Sequence, residues 1–195
     1  MTELRKALIL DRDGTINVDK HYLIDPAQFE FEKHVPEVLK AAFEAGYLLI
    51  VITNQSGVAR GYFSEDDVDK LHIHIQERAR RSGFEFADFF VCPHYHKGSV
   101  PKYSIECNCR KPETLLLEKA VVKHNLDTAG SFLIGDKDAD ILLGQAMGLQ
   151  TVLVGTGYGQ QFKNSGLKYN YFIEDFSGLP EIIGAAQPVR KTGGA

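Results

Sequence analysis

Asp11 and Asp13 stand two residues apart, directly after the apolar run Ala7–Leu10 and directly before Gly14 and Thr15. Paired carboxylates at such a place offer hard oxygen ligands to magnesium, which binds through one or two carboxylates plus phosphate oxygens. Three further clusters suit the same chemistry. Thr53-Asn54-Gln55-Ser56-Gly57 offers a hydroxyl and successive backbone N–H groups to phosphate oxygens. Arg110-Lys111-Pro112 supplies two cations, and Gly135-Asp136-Lys137-Asp138-Ala139-Asp140 supplies more carboxylates for a metal. A fifth cluster is of another kind. Cys92-Pro93-His94 and Cys107-Asn108-Cys109 read C-x-H-x12-C-x-C, and three thiolates with one imidazole make a closed tetrahedral zinc set of the structural type. His96 is an alternative imidazole to His94. An odd count of three cysteines favours metal ligation over disulfides in a reducing compartment.

These clusters need elements to hold them. Short, almost wholly apolar runs at Ala7–Leu10, Leu48–Ile52, Phe89–Val91, Phe132–Ile134 and Val152–Val154 suit strands buried on both faces, as in a parallel sheet. Helices are expected between them. One runs from about Val35 to Ala45, with Pro36 in its first turn and Gly46 at its end. Another starts near Ser64, with Asp67 three residues on, and ends at Gly83. A third follows Pro112 and a fourth follows Asp138. The alternation predicts an α/β, doubly wound domain, in which ligands bind at the carboxyl ends of the strands. The clusters from Asp11, Thr53 and Gly135 all follow predicted strands.

The chain has 195 residues, enough for one domain with a full core, here taken as 1–186, with 187–195 as a disordered tail. A net charge of −4 leaves no overall basic field for a polyanion, so no nucleic-acid partner is expected and a DNA 3′-phosphatase is disfavoured. No apolar run approaches the roughly 20 residues of a membrane span, and the N-terminal run is too short for a signal-peptide core. A cytoplasmic, monomeric protein is expected. Gly155-x-Gly157-x-Gly159 lacks the spacing of a dinucleotide loop. Arg12 is expected to pack or lie on the surface. His72 and His74 are expected to be ordinary helix residues, and His34 and His124 surface ones.

Four strand-end motifs in this order resemble those of the haloacid dehalogenase superfamily of phosphohydrolases, over about residues 5–160. The resemblance implies a Rossmann-like sheet without a large cap. It implies Asp11 as nucleophile and Asp13 as general acid and base. Thr53 and Lys111 would steady the phosphoryl group, and Mg²⁺ would be held by Asp11, Asp136 and the backbone carbonyl of Asp13. Asp140 would be structural. Only about 40 residues separate Asp13 from Thr53 and about 57 separate Thr53 from Arg110, so no large lid fits. The segment from Ile16 to Phe29 is then expected to act as a flap, and the loop 92–109 to supply the rest of the wall.

Residues 11–19, 53–57, 92–94, 98–100, 107–112 and 135–137 further resemble the heptose-bisphosphate phosphatases. That branch shares fold, motifs and zinc loop with the histidinol-phosphate phosphatases. This implies a small sugar bisphosphate as substrate, contacted by Asp19, His21, Tyr22, Asn54, Gln55, Ser56, Arg110 and Lys137, in the pathway that feeds lipopolysaccharide core synthesis. Histidinol phosphate is the alternative, and its cationic amine would be repelled by Arg110. The branch pattern is expected to continue His-Pro after His94, where this chain has Tyr95-His96.

Overall fold

The computed structural model describes residues 3–185; residues 1, 2 and 186–195, including the expected tail 187–195, lie outside the described residues. Six strands form one sheet: β1 (Ala7–Leu10), β2 (Leu48–Asn54), β3 (Asp88–Cys92), β4 (Phe132–Gly135), β5 (Gln150–Val154) and β6 (Tyr171–Ile173). Their order is β3-β2-β1-β4-β5-β6, and every neighbouring pair is parallel. The chain winds outward from β1 to β3, then returns to start the other half at β4. The order therefore reverses between β1 and β4, the place where doubly wound sheets open a ligand crevice.

The pleat explains why the strands read as unbroken apolar runs. Leu8 and Leu10 of β1 point into one core with Leu49 and Val51, under helices α1 (Val35–Glu44) and α2 (Glu65–Arg81). Ala7 and Ile9 point into the other with Ile50 and Ile52, under α3 (Leu115–His124) and α4 (Asp138–Ala146). Both faces are covered, so alternate residues need not be polar. The α2 start is a reciprocal cap. Asp67 N donates to Ser64 Oγ at 3.2 Å, and Ser64 N donates to Asp67 Oδ2 at 3.0 Å.

Three elements had no signal in the sequence reading: β6, the one-turn helix α5 (Gly159–Phe162) and α6 (Leu179–Ile183). Each is five residues or shorter, too short for a period to show. The segment 93–114 carries no strand or regular helix. It is clamped onto the turn after β2, where Ser99 N and Val100 N donate to Ala59 O at 2.8 and 2.9 Å and Ser99 Oγ donates to Arg60 O at 2.7 Å.

Candidate active site

β1 delivers Asp11 to the switch point, where Asp11 N donates to Ile134 O of β4 at 3.0 Å. The chain then turns sharply. Ile16 N and Asn17 N both donate to Arg12 O, and Gly14 takes φ +83°, which a side chain would strain. This turn aims Asp11 and Asp13 at a cavity of about 440 Å³. Thr53, Asn54, Gln55 and Ser56 line it from the β2 end, Arg110 and Lys111 from the segment before α3, and Lys137 and Asp140 from the start of α4. Asp19, His21 and Tyr22 line it from the segment 16–29, where the flap was expected. Every residue expected at the substrate site is therefore brought to one cavity. The loop 92–109 is not. None of its residues lines the cavity, and only Arg110, just past its end, does so. Its clamp on residues 59–60 draws it sideways, so the expected second wall is corrected to Arg110 alone.

Lys111 is the electrostatic centre. Its buried ammonium donates to Asp11 Oδ1 at 2.7 Å and to Ile52 O at 2.7 Å, and lies 2.6 Å from Asp140 Oδ1. Burial works against its charge, but Asp11 and Asp140 outweigh burial and its pKa rises. Asn54 fixes the backbone there, accepting from Lys111 N at 3.0 Å and donating to Lys111 O at 3.1 Å. Asp140 also accepts from Lys137 N at 3.1 Å, so it ties the N-terminus of α4 to Lys111.

Asp13 faces a different set of partners. The Arg12 guanidinium forks onto it, with Nη2 2.8 Å from Oδ2 and 3.0 Å from Oδ1. Asn17 Nδ2 and Gln55 Nε2 donate at 3.1 and 2.9 Å. Burial pushes the Asp13 pKa up, but Arg12 and these donors hold it below the usual carboxylate range. Arg12 was expected to pack or lie on the surface. It is fully buried and paired, because the turn at 12–17 folds its side chain inward. His72 corrects another expectation. It is buried, stacked on Phe89 at 4.6 Å, with Nε2 3.2 Å from Arg12 Nη1. Burial, then the Arg12 charge, push its pKa down to about 3. His124 is also largely covered, 3.0 Å from Asp88 Oδ2.

Asp11, Asp136 and Asp140 bring carboxylate oxygens within 4.8 Å of one another. Asp140 Oδ2 accepts from Lys137 N, and Oδ1, though it makes no hydrogen bond, is ion-paired with Lys111 at 2.6 Å. Asp136 Oδ1 is shut from solvent with no hydrogen-bond partner, and burial and the Asp11 charge push the Asp136 pKa up to about 7. Asp136 Oδ2 accepts from Tyr158 N at 2.9 Å. A Cβ at Gly14 or Gly157 would overlap this carboxylate. An orphaned, all-oxygen corner between Asp11 and Asp136 fits a hard divalent cation. The Gly155–Gly159 run, set aside as a nucleotide loop, thus cradles Asp136. Tyr158, Asp138 and Ala139 also line the cavity. Their only sequence signal was adjacency to the glycines and to Asp136.

The thiols of Cys92, Cys107 and Cys109 lie 3.1, 3.4 and 3.7 Å apart, and His94 Nδ1 is 3.2 Å from Cys109 Sγ and 3.8 Å from Cys92 Sγ. The structure brings His94, not His96, to the thiols. A zinc tetrahedron with 2.3 Å arms has edges of about 3.8 Å, close to this spread. Burial holds the Cys92 thiol well above its ordinary range, a state a bound cation would reverse. No helix among the described residues is long and apolar enough to cross a membrane.

Comparison with known proteins bears on this geometry. The HAD-hydrolase-like family model matches residues 108–179. The chain is 39% identical over 182 residues to a D-glycero-beta-D-manno-heptose-1,7-bisphosphate 7-phosphatase of Pasteurella multocida, covering 92% of this chain and 97% of that one. It is 39% identical over 170 residues to a D-glycero-alpha-D-manno-heptose-1,7-bisphosphate 7-phosphatase of Photorhabdus laumondii, covering 86% and 93%. Among solved structures, the D,D-heptose 1,7-bisphosphate phosphatase of B. bronchiseptica, complexed with magnesium and phosphate, superposes with a TM-score of 0.81 at 26% identity over 91% of this chain and 97% of that one.

Proposed function

The chain belongs to the D-glycero-D-manno-heptose-1,7-bisphosphate 7-phosphatases, phosphoric monoester hydrolases of the haloacid dehalogenase superfamily, and on this basis we propose that it removes the C7 phosphate of such a bisphosphate through an aspartyl-phosphate on Asp11. The observation that carries the reading is one cavity that sets Asp11 against Lys111 at 2.7 Å with Asp13 two residues away and Arg110 beside Lys111.

In the first step an Asp11 carboxylate oxygen attacks phosphorus, and the bond from phosphorus to the ester oxygen breaks. Asp13 gives its proton to the leaving oxygen. At rest Arg12 holds the Asp13 pKa low, and the negative charge of the arriving phosphate dianion opposes that bias, so that Asp13 takes up a proton from water before the step. Lys111 and Thr53 hold the transferring oxygens as charge builds on them. In the second step water attacks the aspartyl-phosphate, Asp13 takes the water proton, and inorganic phosphate leaves Asp11. Asp11, Asp136 and the Asp13 carbonyl are the groups that would hold Mg²⁺, whose contribution is to neutralise charge on the phosphoryl oxygens. Asp140 positions Lys111 and α4. Lys137, 3.6 Å from Asp136 Oδ1, screens the carboxylates at the rim. Asp19, His21, Tyr22, Asn54, Gln55 and Ser56 shape the space around the sugar. Cys92, His94, Cys107 and Cys109 would hold a structural Zn²⁺ that stiffens the segment carrying Arg110 and Lys111.

The test is phosphate release from alpha and beta heptose 1,7-bisphosphate, histidinol phosphate, fructose bisphosphate and a 3′-phosphorylated oligonucleotide. The expected result is the highest kcat/KM with a heptose bisphosphate. A higher kcat/KM with histidinol phosphate would overturn the substrate. Asp11→Asn is expected to remove turnover while the protein stays folded, since an amide cannot form the acyl phosphate.

A further inference from the structure

α2 turns Val68, Leu71, His72, Ile75 and Ala79 toward the core. All but His72 are apolar, as the packed face of a helix requires. Burying the imidazole costs stability, because a polar group in such a place needs a partner and a hydrophobic side chain would need none. The depressed pKa, about 3, is the mark of that cost. The partner is Arg12, whose Nη1 lies 3.2 Å from His72 Nε2. A guanidinium has no acceptor, so Arg12 Nη1 donates and Nε2 accepts, which leaves the ring proton on Nδ1. The ring is also fixed from behind. It stacks on Phe89 of β3 with 22° between the planes, and Phe89 packs against Phe86 at 5.3 Å.

Arg12 has one carboxylate, Asp13, within ion-pair reach among the described residues. Nε and Nη2 both face Asp13, and Nη2 also lies 3.4 Å from Leu23 O. A planar group held along one edge can still swing about that edge. Nη1, at the remaining corner, meets His72, and the third contact stops the swing. The acceptor carries no charge. A carboxylate in its place would draw the Arg12 charge away from Asp13, whereas a neutral imidazole fixes direction and leaves that charge to Asp13.

We propose that His72 is a positioning residue for the reaction: seated on Phe89, it locks the Arg12 guanidinium in the rotation that aims the Asp13 carboxyl at the leaving oxygen. The proposal rests on Asp13 as general acid and adds to that reading a residue of α2 that does not line the cavity. It acts at a distance through two contacts, Nε2 to Arg12 and Arg12 to Asp13, and touches neither the nucleophile nor Lys111. Its loss should therefore slow the step that needs a proton and leave substrate binding in place.

The experiment measures kcat and KM for heptose 1,7-bisphosphate and for p-nitrophenyl phosphate in the unaltered chain, His72→Phe, His72→Gln and Asp13→Asn. His72→Phe keeps the ring on Phe89 and removes the acceptor. It is expected to lower kcat for the bisphosphate about 10-fold with KM within about 2-fold, and to lower kcat for p-nitrophenyl phosphate no more than about 2-fold. His72→Gln returns a neutral acceptor to the place of Nε2 and is expected to recover kcat to within about 3-fold of the unaltered chain. Nitrogen NMR of the unaltered chain at neutral pH is expected to show His72 with its proton on Nδ1, the signal being assigned by its loss in His72→Gln. Full kcat in folded His72→Phe, an equal loss with both esters, or no recovery in His72→Gln would overturn the positioning role alone. So would a proton on Nε2, a result that stands even if His72→Phe fails to fold. Bisphosphate turnover by Asp13→Asn near the unaltered rate would overturn the general acid, and the positioning role with it.

Discussion

Lys111 Nζ lies 2.6 Å from Asp140 Oδ1, and both side chains are closed to solvent. The contact joins the segment before α3 to the first turn of α4, across the crevice where the sheet order reverses. In the proposed mechanism Asp140 therefore decides where the ammonium sits once Asp11 carries the phosphoryl group and loses its charge toward Lys111. Removing one partner of a buried pair leaves the other uncompensated, which costs about 3 kcal/mol or more. Asp140→Ala is expected to lose about that much in urea unfolding and to lower kcat at least 10-fold. A loss under about 1 kcal/mol would show that Asp11 and Ile52 O suffice to hold Lys111.

Asp136 makes the opposite prediction. Its buried carboxylate is pressed against the Asp11 charge, so in the absence of a cation it destabilises the fold. Asp136→Asn keeps an acceptor for Tyr158 N and removes the repulsion. In EDTA its Tm is expected to equal or exceed that of the unaltered chain. Adding millimolar Mg²⁺ is expected to raise the Tm of the unaltered chain, as any ligand of the folded state does, and to leave the variant unmoved. Equal Mg²⁺ shifts in both proteins would remove Asp136 from the ligand set.

Of the residues that the sequence placed at the substrate site, those after β1, β2 and β4 were legible because their clusters follow strand ends, whereas Arg110 and Lys111 reach the same cavity from the segment before α3. Period and apolar runs located β1 to β5, and residue type located Asp11, Thr53, Lys111 and Asp136. Side-chain direction was not legible. Arg12 lies between two acidic residues and looks like an ordinary surface charge, yet the turn folds it fully inside. His72 meets it from α2, a contact made across 60 positions that no local pattern encodes. The sideways pull of the loop 92–109 was hidden for the same reason, since it depends on bonds to Ala59 and Arg60 far back in the chain.

The thiol cluster predicts about one zinc per chain by elemental analysis. Cys107→Ser is expected to lose the ion, to lower Tm, and to raise KM more than it lowers kcat, because His94 O anchors Arg110 while Lys111 is held separately by Asn54. Stoichiometric zinc in Cys107→Ser would refute this ligand set.

His72 sets a pH dependence. Its folded pKa, about 3, lies below the ordinary histidine value. The unfolded chain therefore binds more protons than the folded one between about pH 6.5 and 3, and the stability tied to neutral His72 falls as pH drops through that window. His72→Phe removes this contribution and keeps a ring for Phe89. The stability gap between the unaltered chain and His72→Phe is expected to shift in favour of the variant from pH 7 to pH 5, by about 1 to 2 kcal/mol. A gap that does not change with pH would mean His72 titrates normally.

Arg12 gives the sharpest test of how Asp13, the proposed general acid, is aimed. Three of its contacts converge on Asp13: Nη2 reaches both carboxylate oxygens and Nε lies 3.2 Å from Oδ1. A planar fork fixes the plane of a carboxylate, whereas an ammonium fixes only a distance. Arg12→Lys keeps the buried charge opposite Asp13, so it should fold. It gives up the fork, and the lysine also loses the contact with His72. Asn17 Nδ2 and Gln55 Nε2 still donate to Asp13, one to each carboxylate oxygen, which holds the carboxyl more loosely than the added fork does. Misaimed proton transfer lowers the chemical step and leaves substrate binding in place. Arg12→Lys is therefore expected to lower kcat about 10- to 100-fold with KM changed far less, inside the range that general acid catalysis supplies. The loss should shrink for p-nitrophenyl phosphate, whose good leaving group needs little protonation. An equal loss with that ester and with the heptose bisphosphate would show that Arg12 acts on the nucleophile or the fold rather than on Asp13.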